Sequence, residues 1–215
     1  MIDYDDVTLS DKEARVLGSL MEKQMATPEY YPLTLNALVA ACNQKSSREP
    51  VMNLAAGEVA NTINALRGRG LVTASSGGRA DRFEQQLSRK LGLSGKERAV
   101  ICVLLLRGAQ TVNEIRIRTD RMADFSDNAD VLETLTALAE RETPLVMNLG
   151  KASGQREERF THLLCGEPDV AAMAAPAHGA SSDKVRIAEL EAEVAALQAE
   201  VRRLRDALGG SPDID

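Results

Sequence analysis

With 215 residues, 44% hydrophobic and 27% charged, the chain has the composition of a folded protein with room for one large or two small domains. Its 26 Lys and Arg against 32 Asp and Glu give a net charge of −6, which argues against a protein that coats nucleic acid by bulk charge. Aromatic residues at 3%, with no Trp, argue equally against a base-stacking platform for single strands.

The first ten residues are acidic and hold no apolar stretch, so no secretory signal is expected. Ser10-Asp-Lys-Glu13 is a capping box, and Val16, Leu17, Leu20 and Met21 follow it at helical spacing, predicting a first helix. Leu35-Asn-Ala-Leu38 begins a second helix, and Val59, Ile63 and Leu66 carry a third. Segments 71–74 and 82–85 are β-prone and flank a Gly-rich turn at 75–80, which predicts a hairpin.

The same statement then repeats. Ser94-Gly-Lys-Glu97 precedes Val100, Ile101, Val103, Leu104 and Leu105; Val112-Asn-Glu-Ile115 echoes the second helix; Val131, Leu135 and Leu138 echo the third. A second hairpin is predicted from 145–149 and 158–163, with Phe160 at the place Phe83 holds in the first. Three helices alone bury little surface, and a hairpin closes the open side of their core. Helix–helix–helix–hairpin is the order of the winged-helix variant of helix-turn-helix. The expected fold is mainly α with small β-hairpins (α+β), as two tandem winged-helix domains at 1–90 and 91–165.

Residues 166–182 are rich in Ala, Gly, Pro and Ser and read as a linker. A C-terminal coiled-coil helix is predicted at 183–209, where Ile187, Leu190, Val194, Leu197, Val201, Leu204 and Leu208 alternate at three and four residues. β-Branched residues at the first three a positions with Leu at d favour a parallel two-stranded coil. The g-to-e pairs Arg186–Glu191 and Glu200–Arg205 are attractive and Glu193–Gln198 is neutral, consistent with a parallel homodimer. A single amphipathic helix packed on its own chain is the other reading.

Little in the chain suggests catalysis. Cys42, Cys102 and Cys165 form no CxxC pair, and His162 and His178 complete no zinc set of ordinary spacing, so no metal or cofactor is expected. The motifs GxxxxGK[ST], GxGxxG, HExxH and GxSxG are missing, and we expect no enzyme. Three cysteines without a disulfide framework suit a reducing cytoplasm. The longest apolar run, 99–106, is far short of the ~20 residues of a membrane span.

Charge divided along the chain points to the first repeat. Residues 1–90 hold eleven basic and eleven acidic groups, 91–168 ten and twelve, and 169–215 five and nine. Between the second and third helices, Asn43, Gln44, Lys45, Ser46, Ser47 and Arg48 offer amides, hydroxyls and two cations of the kind that position a phosphate backbone. The wing adds Arg79 and Arg82. Opposite its apolar stripe, the third helix carries Gly57, Asn61, Asn64, Ala65 and Gly68 with Arg67 and Arg69 on the flanks, and asparagine reads adenine by a bidentate pair. The equivalent face of the second repeat holds Glu133, Thr136 and Glu140, preceded by Asp124, Asp127 and Asp130, which phosphates would repel. The sequence thus predicts a dimeric, regulatory double-stranded-DNA-binding protein. The alternative is a protein-protein interaction or assembly module without DNA contact.

The segments 30–38 (YYPLTLNAL), 43–51 (NQKSSREPV) and 154–164 (GQREERFTHLL) fall in order around the two repeats, and over residues 8–168 the chain resembles the YceH-like family of bacterial proteins of unknown function. The resemblance implies a tandem winged-helix fold and a cytoplasmic location. It implies no activity and no functional residues, though 43–51 looks like the family's most characteristic segment.

Overall fold

The computed structural model of the chain describes residues 7–76, 80–151 and 156–168, together with 198, 201 and 203. Helix α1 (Asp11–Ala26) starts where Ser10 accepts from the Glu13 amide and Glu13 returns a carboxylate to the Ser10 amide. After a 3-10 turn at Pro28–Tyr30 come a two-residue strand β1 (Leu33–Thr34) and α2 (Leu35–Cys42), capped by the Thr34 hydroxyl. Helix α3 (Ala56–Gly68) leads into β2 (Val72–Ser75) and β3 (Arg82–Gln85). The three strands form an antiparallel sheet in the order β1-β3-β2, with Leu33 opposite Phe83 and Val72 opposite Gln85.

A short helix α4 (Leu87–Lys90) precedes the second copy. There α5 (Gly95–Arg107), α6 (Val112–Arg118) and α7 (Asn128–Ala139) are followed by the hairpin β4 (Val146–Asn148) and β5 (Phe160–His162). Ser94–Glu97 and Thr111–Glu114 form reciprocal capping boxes at the starts of α5 and α6. Main-chain bonds in both directions between Gln110 and Phe160 add a one-residue counterpart of β1 to the second hairpin.

The predicted order of helices and hairpins is present in both halves, in a mixed fold of helices with small antiparallel sheets. Two small elements were not legible: β1 is only two residues long and α4 only four, too short to print a period.

Residues 1–168 make one compact unit and Asp169–Asp215 a second. Within the first, the apolar faces of both halves join one buried cluster running from Val7 to Leu164. Helices α1 and α5, the leading helices of the two copies, pack directly on each other. They approach so closely at Gly18 that a β-carbon there would stand 2.9 Å from Leu106 Cδ2 and 3.2 Å from Leu105 Cβ. The Cys102 thiol donates to the Gly18 carbonyl at the same crossing, 3.4 Å away. In the second unit, Gln198, Val201 and Arg203 are helical and Val201 is exposed. Ile187, Leu190, Val194, Leu197, Leu204 and Leu208 lie outside the described residues, as does Arg79.

Candidate nucleic-acid interface

The segment joining α2 to α3 is fixed from beneath by two arginines. Arg15 of α1, fully buried, donates to the Cys42 carbonyl at 3.1 Å and the Pro50 carbonyl at 2.6 Å, and so ties the start of the loop to its middle. Arg48 points inward as well: its Nε donates to the Ala41 carbonyl (3.0 Å), and its two terminal nitrogens meet the Glu22 carboxylate at 2.9 and 2.6 Å. Burial pushes the Glu22 carboxyl up, but the hydrogen bonds and charge of Arg48, with Lys23 beside it, outweigh this and hold it below the usual carboxylate value. Asn43 closes the loop on itself, its side chain bonding both the amide and the carbonyl of Leu54 at 2.8 Å. The Glu49 amide reaches across to the Leu106 carbonyl of α5 at 2.8 Å.

These contacts correct the sequence reading at two residues. The Arg48 side chain has no accessible surface and is committed to a carboxylate, so it is not a phosphate contact. Asn43 is likewise engaged in holding the loop. What the loop presents outward is Lys45 and Ser46, both exposed, flanked by the half-buried Gln44 and Ser47. Ser47 turns the chain with a φ of 60°, a left-handed conformation that costs a non-glycine residue energy and is held here by Arg48 donating to its carbonyl.

Helix α3 matches the expectation more closely. Val59, Thr62, Ile63 and Leu66 are buried, while Gly57, Asn61, Asn64, Ala65, Arg67 and Gly68 are exposed. The Asn61 and Asn64 side chains, like the cations of Lys45 and Arg67, make no hydrogen bond or ion pair among the described residues. The helix's one carboxylate, Glu58, sits in the first turn, bonds the Ala55 amide and is neutralised by Lys12 at 2.7 Å. Arg69 turns back to Glu13 (2.8 Å) and the Thr8 carbonyl (2.6 Å), leaving Arg67 as the outward cation of the helix end. Arg82 is exposed on β3 but donates to the Pro32 carbonyl, and the exposed Asp81 and Glu84 flank it.

The second half offers a different surface. Glu133 and Thr136 on α7 and Glu140 just past its end are exposed, as expected, and the exposed apolar side chains Ile117, Leu132 and Met147 lie on α6, α7 and β4. Asp130 is drawn to Lys96 at 2.7 Å, and Arg118 and Arg159 are tied to Glu114.

Sequence reasoning missed Arg15 and Glu22. Arg15, Ser19 and Glu22 recur at i, i+4 and i+7 on α1, polar residues in line with its apolar face. That pattern signals a buried polar network, and it was the available clue.

Comparisons with known proteins find relatives along most of the chain. Residues 9–155 match a family described as "Protein of unknown function, DUF480". A UPF0502 protein of Cellvibrio japonicus is 46% identical over 207 residues, spanning 93% of this chain and 95% of its own length. A UPF0502 protein of Geobacter sulfurreducens is 49% identical over 199 residues, spanning 89% and 91%. One from Vibrio parahaemolyticus is 48% identical over 206 residues, spanning 93% and 95%. No described helix is long and apolar enough to cross a membrane.

Proposed function

The chain belongs to this DUF480 family, whose description names no activity, and we propose that it is a double-stranded-DNA-binding protein that reads DNA with α3 of its first half. In this reading each half is a winged helix, α3 is the recognition helix, and the protein works in the cytoplasm as a regulator. The observation that carries it is the solvent face of α3: small residues that let the helix approach closely, two uncommitted asparagines, and a single carboxylate, Glu58 in the first turn, that Lys12 neutralises. Asn61 and Asn64 are three residues apart on the same face, a rise of about 4.5 Å, against about 3.4 Å between successive base pairs, so the two side chains would reach separate base pairs. Lys45 and Arg67 would hold phosphates on either side, with Ser46 and Arg82 as neutral and wing contacts. The seam from Ile187 to Leu208 would pair two chains in parallel and bring two half-sites together.

We read the protein as a binder without catalytic activity. Burial pushes the Cys42 and Cys102 thiols up, away from the thiolate a nucleophile needs, and holds His162 neutral at about 4. The test is fluorescence anisotropy with a mixed-sequence duplex at about 50 mM salt, where phosphate contacts are strongest. Lys45→Ala and Arg67→Ala should each weaken binding and lower the salt slope by about one. Asn61→Ala should cost roughly 1–3 kcal/mol at a selected site and much less on random DNA. Undetectable binding under those conditions would overturn the proposal.

A further inference from the structure

The two halves close their second-to-third helix connections differently. In the first, residues 43–55 fold back through the Asn43–Leu54 pair over the buried Arg48. In the second, the shorter connection 119–127 leaves a surface pocket of about 270 Å³, lined by Arg116, Ile117, Asp120, Ala123, Asp124 and Phe125. Phe125 is nearly buried, while Ile117 is 62% exposed, an unusual position for a side chain of its size. Asp120 and Asp124 are exposed and form no ion pair among the described residues.

We propose that this pocket docks a basic, apolar-flanked peptide segment of a partner protein. A lysine or arginine of the segment would lay its methylene stem along Ile117, with its charged head between Asp120 and Asp124. A neighbouring apolar residue would cover Ala123 and the accessible edge of Phe125, and Arg116 would take a main-chain carbonyl. Charge complementarity supports that occupant: the pocket's two carboxylates outnumber its one cation. An anionic strand of nucleic acid is disfavoured for the same reason. The site is separate from α3, so it stands or falls independently of DNA binding.

The experiment is selection of a phage-displayed random dodecapeptide library against the full chain, followed by anisotropy titration of the enriched peptides. Enrichment of Lys or Arg beside Leu, Ile or Phe is expected. Binding of such a peptide should fall by about tenfold or more in Asp120→Asn/Asp124→Asn, and again in Ile117→Ser, while Lys45→Ala and Arg67→Ala leave it unchanged. All of these positions are exposed, and circular dichroism would verify that the variants fold. Failure to enrich any peptide, enrichment of acidic or wholly apolar peptides, or unaltered affinity in the double variant would overturn the proposal.

Discussion

Removing the Arg48 guanidinium should weaken the fold before it alters anything at the surface. Arg48→Ala deletes the bond to the Ala41 carbonyl and both bonds to Glu22, and leaves that carboxylate only the longer Lys23 contact, at 3.3 Å, in a site where its side chain is only 15% exposed. Breaking a buried ion pair from one side costs about 3–5 kcal/mol, and the residual access of Glu22 to water places this case near 3. Urea unfolding followed by circular dichroism measures it, with an unchanged m-value as the sign that stability alone has moved. Lys45→Ala, three residues away and fully outward, should lie within about 0.5 kcal/mol of the parent. Glu22→Leu/Arg48→Met removes both charges and should recover much of the loss. The acid limb carries a second signature. Glu22 titrates below its unfolded value, so its contribution is complete above that value, about 4.5, and is lost as pH falls through the folded one. Arg48→Ala should flatten that limb. Stability of Arg48→Ala within about 0.5 kcal/mol of the parent would refute the reasoning.

Three further outcomes follow from the packing. Gly18→Val forces side-chain atoms into Leu105 and Leu106 and should cost about 1–3 kcal/mol, lowering Tm by several degrees in differential scanning calorimetry; an unchanged Tm would contradict the α1–α5 crossing. His162, whose Nδ1 is sealed from water without a partner, is held down to about 4 by burial, with Asp11 opposing weakly. The unfolded chain therefore takes up this proton first, and stability should fall as pH drops from about 6.5 to 4, by at most about 3 kcal/mol, a slope that His162→Leu removes. Ellman's reagent at pH 8 should label Cys165 in the native protein, slowly because burial and the nearby Asp11 and Glu13 push its thiol up to about 11. Cys42 and Cys102 should react only after unfolding, and rapid native labelling of all three would contradict their burial.

Much of the architecture was legible because both copies obey local rules. The capping boxes at Ser10 and Ser94 mark helix starts through neighbours three residues apart, and the inward Val59, Ile63 and Leu66 fix which face of α3 is left to solvent. The loop at 43–48 was not legible in the same way. Its polar residues look alike in a string, yet Lys45 faces water while Arg48 turns inward to a carboxylate 26 positions earlier. Only the tertiary placement of Glu22 decides between those fates, and no local spacing encodes it. The pocket beside Ile117 was hidden for a related reason, since it forms only when α6 and the connection 119–127 fold against each other.

The crossing of α1 and α5 has a geometric meaning beyond its tightness. Gly18 stands eight residues after the capping serine of the first copy, and Cys102 eight residues after that of the second. The two bonded at the crossing are therefore equivalent positions of the repeat. A residue that meets its own counterpart is the mark of a twofold contact, the arrangement by which identical subunits form closed pairs. Here both subunits lie on one polypeptide, so the halves need not stay alike. The solvent face of α3 carries Asn61, Asn64 and Arg67 where that of α7 carries Glu133 and Thr136, a difference that an obligately symmetric dimer could not hold.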